Sequence, residues 1–145
     1  MKIYLAADHA GFELKESVKK YLEEKGHDVT DFGAHKYNEG DDYPDFIKPA
    51  AEAVAGDLAS LGIIFGGSGQ GEDMVADKIF GIRSAVYYGG NLEIVKLARE
   101  HNNANIISIG ARFMDYNEAT EAIDLFLDTK FSGDERHIRR IEKID

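Results

Sequence analysis

Short apolar runs alternate with amphipathic stretches along the whole chain. Ile3 to Ala7 (IYLAA) reads as a first strand. Leu14, Val18, Tyr21 and Leu22 follow at i, i+4, i+7 and i+8, the stripe of an amphipathic helix, and Gly26 stands where a helix-ending glycine belongs. Val29 to Phe32 is a weaker second strand, and residues 33–43, GAHKYNEGDDY, are a polar loop. Pro44 suits the first turn of a helix that runs to about Ala55 and stops at Gly56. Ile63, Ile64 and Phe65 form a buried third strand, GGSGQG interrupts it, and a helical pattern begins at Glu72. Ser84 to Tyr88 reads as a fourth strand, followed by Gly89 and Gly90. Asn91 is placed to cap a helix carrying Ile94, Leu97 and Ala98 on one face. Ile106 to Ile109 is a fifth strand, and Asp115 with Glu118 opens a helix in the manner of a capping box. Ala119, Ala122, Ile123, Phe126 and Leu127 continue that helix, and a turn at Ser132-Gly133 leads into a short terminal helix rich in arginine.

Strands alternating with helices predict a parallel sheet covered on both faces, an α/β fold of Rossmann-like type. With 145 residues and neither repeats nor linkers, the chain reads as one domain, 1–145. The flavodoxin-like strand order 2-1-3-4-5 is the expectation. It makes strands one and three neighbours, with their carboxyl-terminal loops flanking the switch point. Asp8-His9 then faces GGSGQG across one crevice.

Composition narrows the partners. A formal net charge of -10 argues against nucleic acid, which needs a basic footprint, and any phosphate site has to be a local cluster of Arg and His. There is no cysteine, so disulfides, thiolate nucleophiles and thiolate-bound metals are excluded. No apolar run approaches the ~18 residues of a membrane span. The start, MKIYLAADHAG, lacks the pattern of a signal peptide, which makes the cytoplasm the expected compartment.

A strand, a glycine turn and a helix start make an anion-binding loop, because glycine lets the backbone approach a ligand and the first N–H groups of the helix are free. Glu72 is out of place in such a loop. Its commoner role is to satisfy the helix dipole; its sharper one is a base beside a substrate whose anionic group is held elsewhere. Asp8 and His9 read either as an N-cap and a surface histidine or as a polar strand-end pair facing the glycine loop. His101 ends the apolar face of its helix, where a packed or capping histidine is commoner than a catalytic one. Arg112 follows strand five in IGAR. Arg136 and Arg140 lie one turn apart, which suits a phosphate dianion, although a solvated basic face is the usual case. Ile138, Ile141 and Ile144 occupy another face of that helix, so it is expected to dock. Zinc is not expected, since no histidine pair has HxxxH or HExxH spacing. GGSGQG lacks the GK[ST] of a triphosphate loop and the GxSxG of a nucleophile elbow, and the first strand carries DHAG instead of GxGxxG.

Seven motifs, in order, carry a family resemblance: DHAGFELK (8–15), DYPDF (42–46), GGSGQGE (66–72), KIFGIRSA (78–85), LAREHNNAN (97–105), GAR (110–112) and RHIRRIEKI (136–144). Together they resemble the RpiB/LacA/LacB family of sugar-phosphate isomerases. The resemblance implies a Rossmann-like fold, a homodimer or dimer of dimers with sites at the subunit interface, and no metal or organic cofactor. It implies interconversion of an aldose phosphate and a ketose phosphate through a cis-enediolate, with ribose 5-phosphate the first expected substrate. Many members carry a cysteine base just before the glycine loop. This chain has Gly66 there and Glu72 six positions later, so it resembles the glutamate branch, with Glu72 as base. By the same resemblance, Ser68 and the backbone around Gly67, Gly69 and Gly71 stabilise the enediolate oxygen. His101 moves a proton during ring opening, with Asp8 on the sugar. His9, Arg112, Arg136 and Arg140 hold the phosphate, some from the partner subunit, while Tyr43 and Asn102 line the sugar.

Two departures from the family pattern bear on sugar choice. Asp77 stands where the family usually has Asn, and two extra residues lie around Tyr87 to Asn91. The alternatives are an allose- or galactose-6-phosphate isomerase, the latter as a subunit needing a different partner chain, and a non-catalytic sugar-phosphate sensor.

Overall fold

A computed structural model describes residues 1–145. Five parallel strands, β1 (Lys2–Ala7), β2 (Asp28–Asp31), β3 (Leu61–Gly66), β4 (Ser84–Tyr87) and β5 (Ile106–Gly110), form one sheet in the order 2-1-3-5-4. Six helices accompany them: α1 (Phe12–Glu24), α2 (Pro44–Gly56), α3 (Gln70–Asp77), α4 (Glu93–Glu100), α5 (Tyr116–Asp128) and α6 (Glu135–Ile141). The fold class is the one expected from the alternation of elements.

Strand alternation builds two cores. Ile3, Leu5, Ile63, Phe65, Ile107 and Ile109 point to one face and pack against α1, α4 and α5 through Val18, Leu22, Val95, Ile123 and Phe126. Tyr4, Ala6, Ile64 and Ile106 point to the other and meet Ile47, Ala50, Ala51 and Val54 of α2 and Ala76 of α3. Helices on opposite faces begin after β1 and β3, so these neighbouring strands are the switch point, as expected.

The strand order differs from the expectation at its last two places. β5 pairs with β3, and β4 is the edge. The burial of each strand gives the reason: IISIG is buried at all five positions, as a central parallel strand must be, whereas Ser84, Ala85 and Val86 of β4 are only half-buried. The exchange has a local consequence. It sets the loop after β5 directly beside the glycine loop after β3.

Two further expectations change. The helix after the glycine loop begins at Gln70, two residues before Glu72. In α4 the buried residue is Val95, while Ile94 is 54% exposed and Leu97 and Ala98 are half-buried. An edge strand gives its helix less sheet to cover, so the apolar stripe of α4 turns partly outward. Asn91 does assist the start of α4, its Oδ1 accepting from the Glu93 N–H at 2.9 Å. The Asp115 cap forms as read, with Oδ1 accepting from the Glu118 N–H at 2.8 Å.

Candidate active site

The carboxyl ends of β1, β3 and β5 bring together most of the residues singled out in the sequence. The β1–α1 turn carries Asp8 and His9. Asp8 is 7% exposed, and its Oδ1 accepts from the N–H groups of Ala10 and Gly11 at 3.0 and 3.3 Å. A Cβ on Gly11 would lie 2.5 Å from the Phe65 Cβ, so this turn sits directly on the end of β3.

The β3–α3 loop, Gly67 to Gly69, delivers Glu72. Gly69 has φ +79°, in the left-handed region that favours glycine, and its carbonyl accepts from the buried Ser108 hydroxyl at 2.7 Å. That conformation opens α3 and turns its first N–H groups toward the loop. Ser68 is exposed, its Oγ accepting from the Gln70 N–H at 3.3 Å. Glu72 is 4% exposed. Burial pushes its carboxyl above the ordinary carboxylate range; its own N–H opposes the shift, and the Asp8 charge adds to it. A buried carboxyl group raised in this way suits a general base near neutrality. Its carboxyl atoms fill the volume a side chain on Gly66 would take.

The β5–α5 loop lies alongside. Ala111 and Arg112 donate their N–H groups to the carbonyls of Gly66 and Gly67 at 2.8 and 3.0 Å. The Arg112 guanidinium reaches back over Gly67, with Nη1 3.1 Å from where a Cβ there would stand. Tyr43, at the start of α2, puts its ring end against Gly71, its Cζ 2.7 Å from that glycine's Cβ position. Asp8, His9, Tyr43, Gly67, Ser68, Gly69, Gly71, Glu72 and Arg112 therefore share one end of the sheet.

His101, Asn102, Arg136 and Arg140 do not. His101 ends α4, and a helix that follows a parallel strand returns the chain to the amino ends of the strands. Arg83, just before β4, donates through Nε to the carbonyls of Asn102 and Asn103 at 3.1 and 2.9 Å, which fixes that corner. The terminal helix docks there too: the Ser132 N–H donates to Glu100 O at 3.0 Å, and the His137 ring stacks on His101 at 4.3 Å and 16°. The central strands, five to six residues long, span ~17–20 Å, so these four residues lie about a strand length from Glu72 in one chain. His137 is the residue that sequence reading passed over here. It is 5% exposed, and burial, with the nearby charges of His101 and Arg136, holds it below the usual histidine range. Arg136 and Arg140 are exposed, as are Ile138 and Ile144 at 41% and 57%.

One cluster has metal-ligand types close together, Asp8, His9 and Asp41, with donor atoms within 4.8 Å of one another. The His9 Nδ1 is already paired with Asp41 Oδ1 at 2.7 Å, and Asp8 Oδ1 is taken by two N–H groups.

Comparison with known proteins decides the family. The family described as Ribose/Galactose Isomerase matches residues 3–144. The chain belongs to the ribose/galactose isomerase family. It is 46% identical over 142 residues to ribose-5-phosphate isomerase B of Mycolicibacterium paratuberculosis, covering 98% of this chain and 88% of that one. Among solved structures it resembles ribose-5-phosphate isomerase B from Mycoplasma genitalium with bound ribulose-5-phosphate, with a TM-score of 0.93 and 37% identity over 99% of this chain and 93% of that one. The Thermotoga maritima enzyme gives a TM-score of 0.92 at 43% identity, covering 99% and 97%. No helix of the chain is long and apolar enough to cross a membrane.

Proposed function

We propose that this isomerase-family chain interconverts ribose 5-phosphate and ribulose 5-phosphate in the cytoplasm, without a metal or organic cofactor, at sites shared by two copies. Relatives at about 45% identity carry that activity in their names. The single observation behind the mechanism is Glu72: a buried carboxyl group with a raised pKa, set at a glycine loop on the switch point.

His101 of a second copy, with Asp8, moves the proton that opens the sugar ring. Ionised Glu72 takes the C2 proton, and the electron pair of that C–H bond forms the C1–C2 double bond of an enediolate. The charge developing on O1 is met by Ser68 and the N–H groups from Gly67 to Gly71. A proton passes from the C2 hydroxyl to O1, and Glu72 returns its own proton to C1 as the C2 oxygen becomes the ketone carbonyl. Tyr43 and Asn102 line the sugar. His9 and Arg112 take one side of the phosphate; Arg136 and Arg140 of the second copy take the other.

The split described above supports a second copy. Glu72 and His101 lie at opposite ends of one sheet, and the Arg-bearing helix presents Ile138 and Ile144 to its surroundings. An isologous pair places each chain's amino-end cluster over the other's glycine loop.

The test is turnover of ribose 5-phosphate by the purified protein in deuterated buffer, beside allose and galactose 6-phosphates. Ketose formation with deuterium at the transferred position supports the proposal. Binding without proton exchange makes the chain a sensor, and preference for a hexose phosphate moves the substrate assignment.

A further inference from the structure

The loop of residues 33–43 is long and polar, and the isomerase chemistry assigns it nothing before Tyr43. It folds back over the β1–α1 turn and holds His9 from two sides. Asp41 Oδ1 accepts two hydrogen bonds from a residue 32 positions away, from the His9 ring at Nδ1 (2.7 Å) and from the His9 backbone N–H (3.1 Å). The Tyr37 ring stands edge-on to the imidazole, with centroids 6.2 Å apart and planes at 88°. The His9 Nε2 has no partner within the chain.

The Asp41 side chain is only 8% exposed, and its second oxygen, Oδ2, is buried with no hydrogen bond. An unsatisfied buried carboxylate oxygen costs stability. A loop anchored for the fold alone would be better served by a residue with no oxygen left over. Both hydrogen bonds that the Asp41 side chain makes go to His9.

An ionised carboxylate only accepts, so the ring nitrogen facing it must carry the proton. A free imidazole favours the other arrangement, with the proton on Nε2. We propose that Asp41 is the positioning residue for His9: it fixes the ring's rotamer and its Nδ1–H tautomer, so that Nε2 alone meets the substrate and any second proton enters there. The kinetic consequence rests on the assignment of His9 to the phosphate; the tautomer rests on geometry within this chain.

The test is long-range 1H–15N NMR of the histidine rings in the intact, substrate-free protein, beside kinetics with ribose 5-phosphate. Wild-type His9 is expected to show a protonated Nδ1 and a bare Nε2 in its neutral form. Asp41→Asn keeps the accepting oxygen, which the His9 backbone N–H holds toward the ring. It is expected to keep the tautomer and a KM within about threefold of wild type. Asp41→Ala should lose the tautomer preference and raise KM about tenfold or more, the worth of one hydrogen bond to a charged group, with kcat within about threefold. A wild-type ring protonated at Nε2 overturns the proposal, as does an Asp41→Ala protein that keeps both tautomer and KM. If wild type fails to turn over ribose 5-phosphate, the isomerase assignment falls, and the NMR result still judges the Asp41–His9 pair by itself.

Discussion

The carboxyl group of Glu72 stands where a side chain on Gly66 would stand: a Cβ at position 66 overlaps its carbon and both its oxygens. The cysteine branch of the family, by the resemblance described above, places its base on position 66 itself. Thiolate and carboxylate are thus two ways of filling one spot, and each excludes the other. Gly66→Ala is expected to fold, since strand and loop are otherwise unchanged, and to displace the carboxylate. Its kcat should fall by about 10²–10⁴, the usual worth of a general base. A Gly66→Ala enzyme near wild-type kcat would place the base elsewhere.

Glu72 also sets a pH dependence with two opposite signs. Its pKa in the folded chain is raised, mainly by burial. The base must be ionised, so kcat/KM should fall on acidification at a pH above the ordinary carboxylate range. For stability, the folded state holds the proton where the unfolded chain has released it. Stability is therefore lost as pH rises from the ordinary glutamate value of 4.5 through the raised one. Glu72→Gln removes that cost. It should melt at or above the wild-type temperature at pH 7, bind sugar phosphate, and lose about 10²–10⁴ in kcat. Melting curves at pH 4 and pH 7 check the sign: the variant's advantage should shrink at the lower pH.

Lys15 is a cation buried in the fold. It is fully buried, and its Nζ donates to Asp31 Oδ2 at 2.6 Å and to Glu16 Oε1 at 2.7 Å. Burial pushes the Asp31 carboxyl up, but the Lys15 hydrogen bond, the Gly33 N–H and Lys19 outweigh it, and the net shift is downward. A depressed carboxylate stabilises above its unfolded pKa, and that contribution is lost as pH falls through the folded one. Lys15→Ala leaves Asp31 without its main partner and should cost about 3–5 kcal/mol, the usual result of breaking a buried pair. Urea unfolding at pH 7 measures it, and the difference from wild type should narrow below pH 4.

Arg136 and Arg140 are exposed on the terminal helix, one turn apart. Replacing either with Ala should raise KM strongly, by the equivalent of about 2–4 kcal/mol of transition-state binding. Unphosphorylated ribose should be a very poor substrate for wild type. Turnover of ribose at a comparable rate would remove the arginines from the phosphate.

Most of the strand-end chemistry was legible because it is local. A strand, a glycine run and an acid in the next helical turn are read from neighbouring residues, which put Asp8, Glu72 and Arg112 at strand ends; Ser68 came in only through the family resemblance. Strand order is a long-range property, and the clue to it was weaker: IISIG is uniformly apolar and therefore central, whereas SAVY opens on a serine and takes the edge. The face of α4 was misread for the same reason, because its stripe depends on how much sheet lies beneath it. Asp41 was invisible as a functional residue. It sits in a loop without periodicity, and its partner is 32 positions away. The His101–His137 stack likewise joins two elements that no local pattern connects.

Glu72 of one chain is expected to work with His101 of another, and subunit complementation tests this directly. Glu72→Gln and His101→Ala should each be nearly inactive alone. In a mixed dimer one site carries both lesions, while the other pairs an intact Glu72 with an intact His101. Co-refolding equal amounts should make half of the dimers mixed, each with one good site, and restore about a quarter of wild-type activity. A mixture that forms mixed dimers and stays inactive would mean that one chain supplies both residues, and would contradict the shared site.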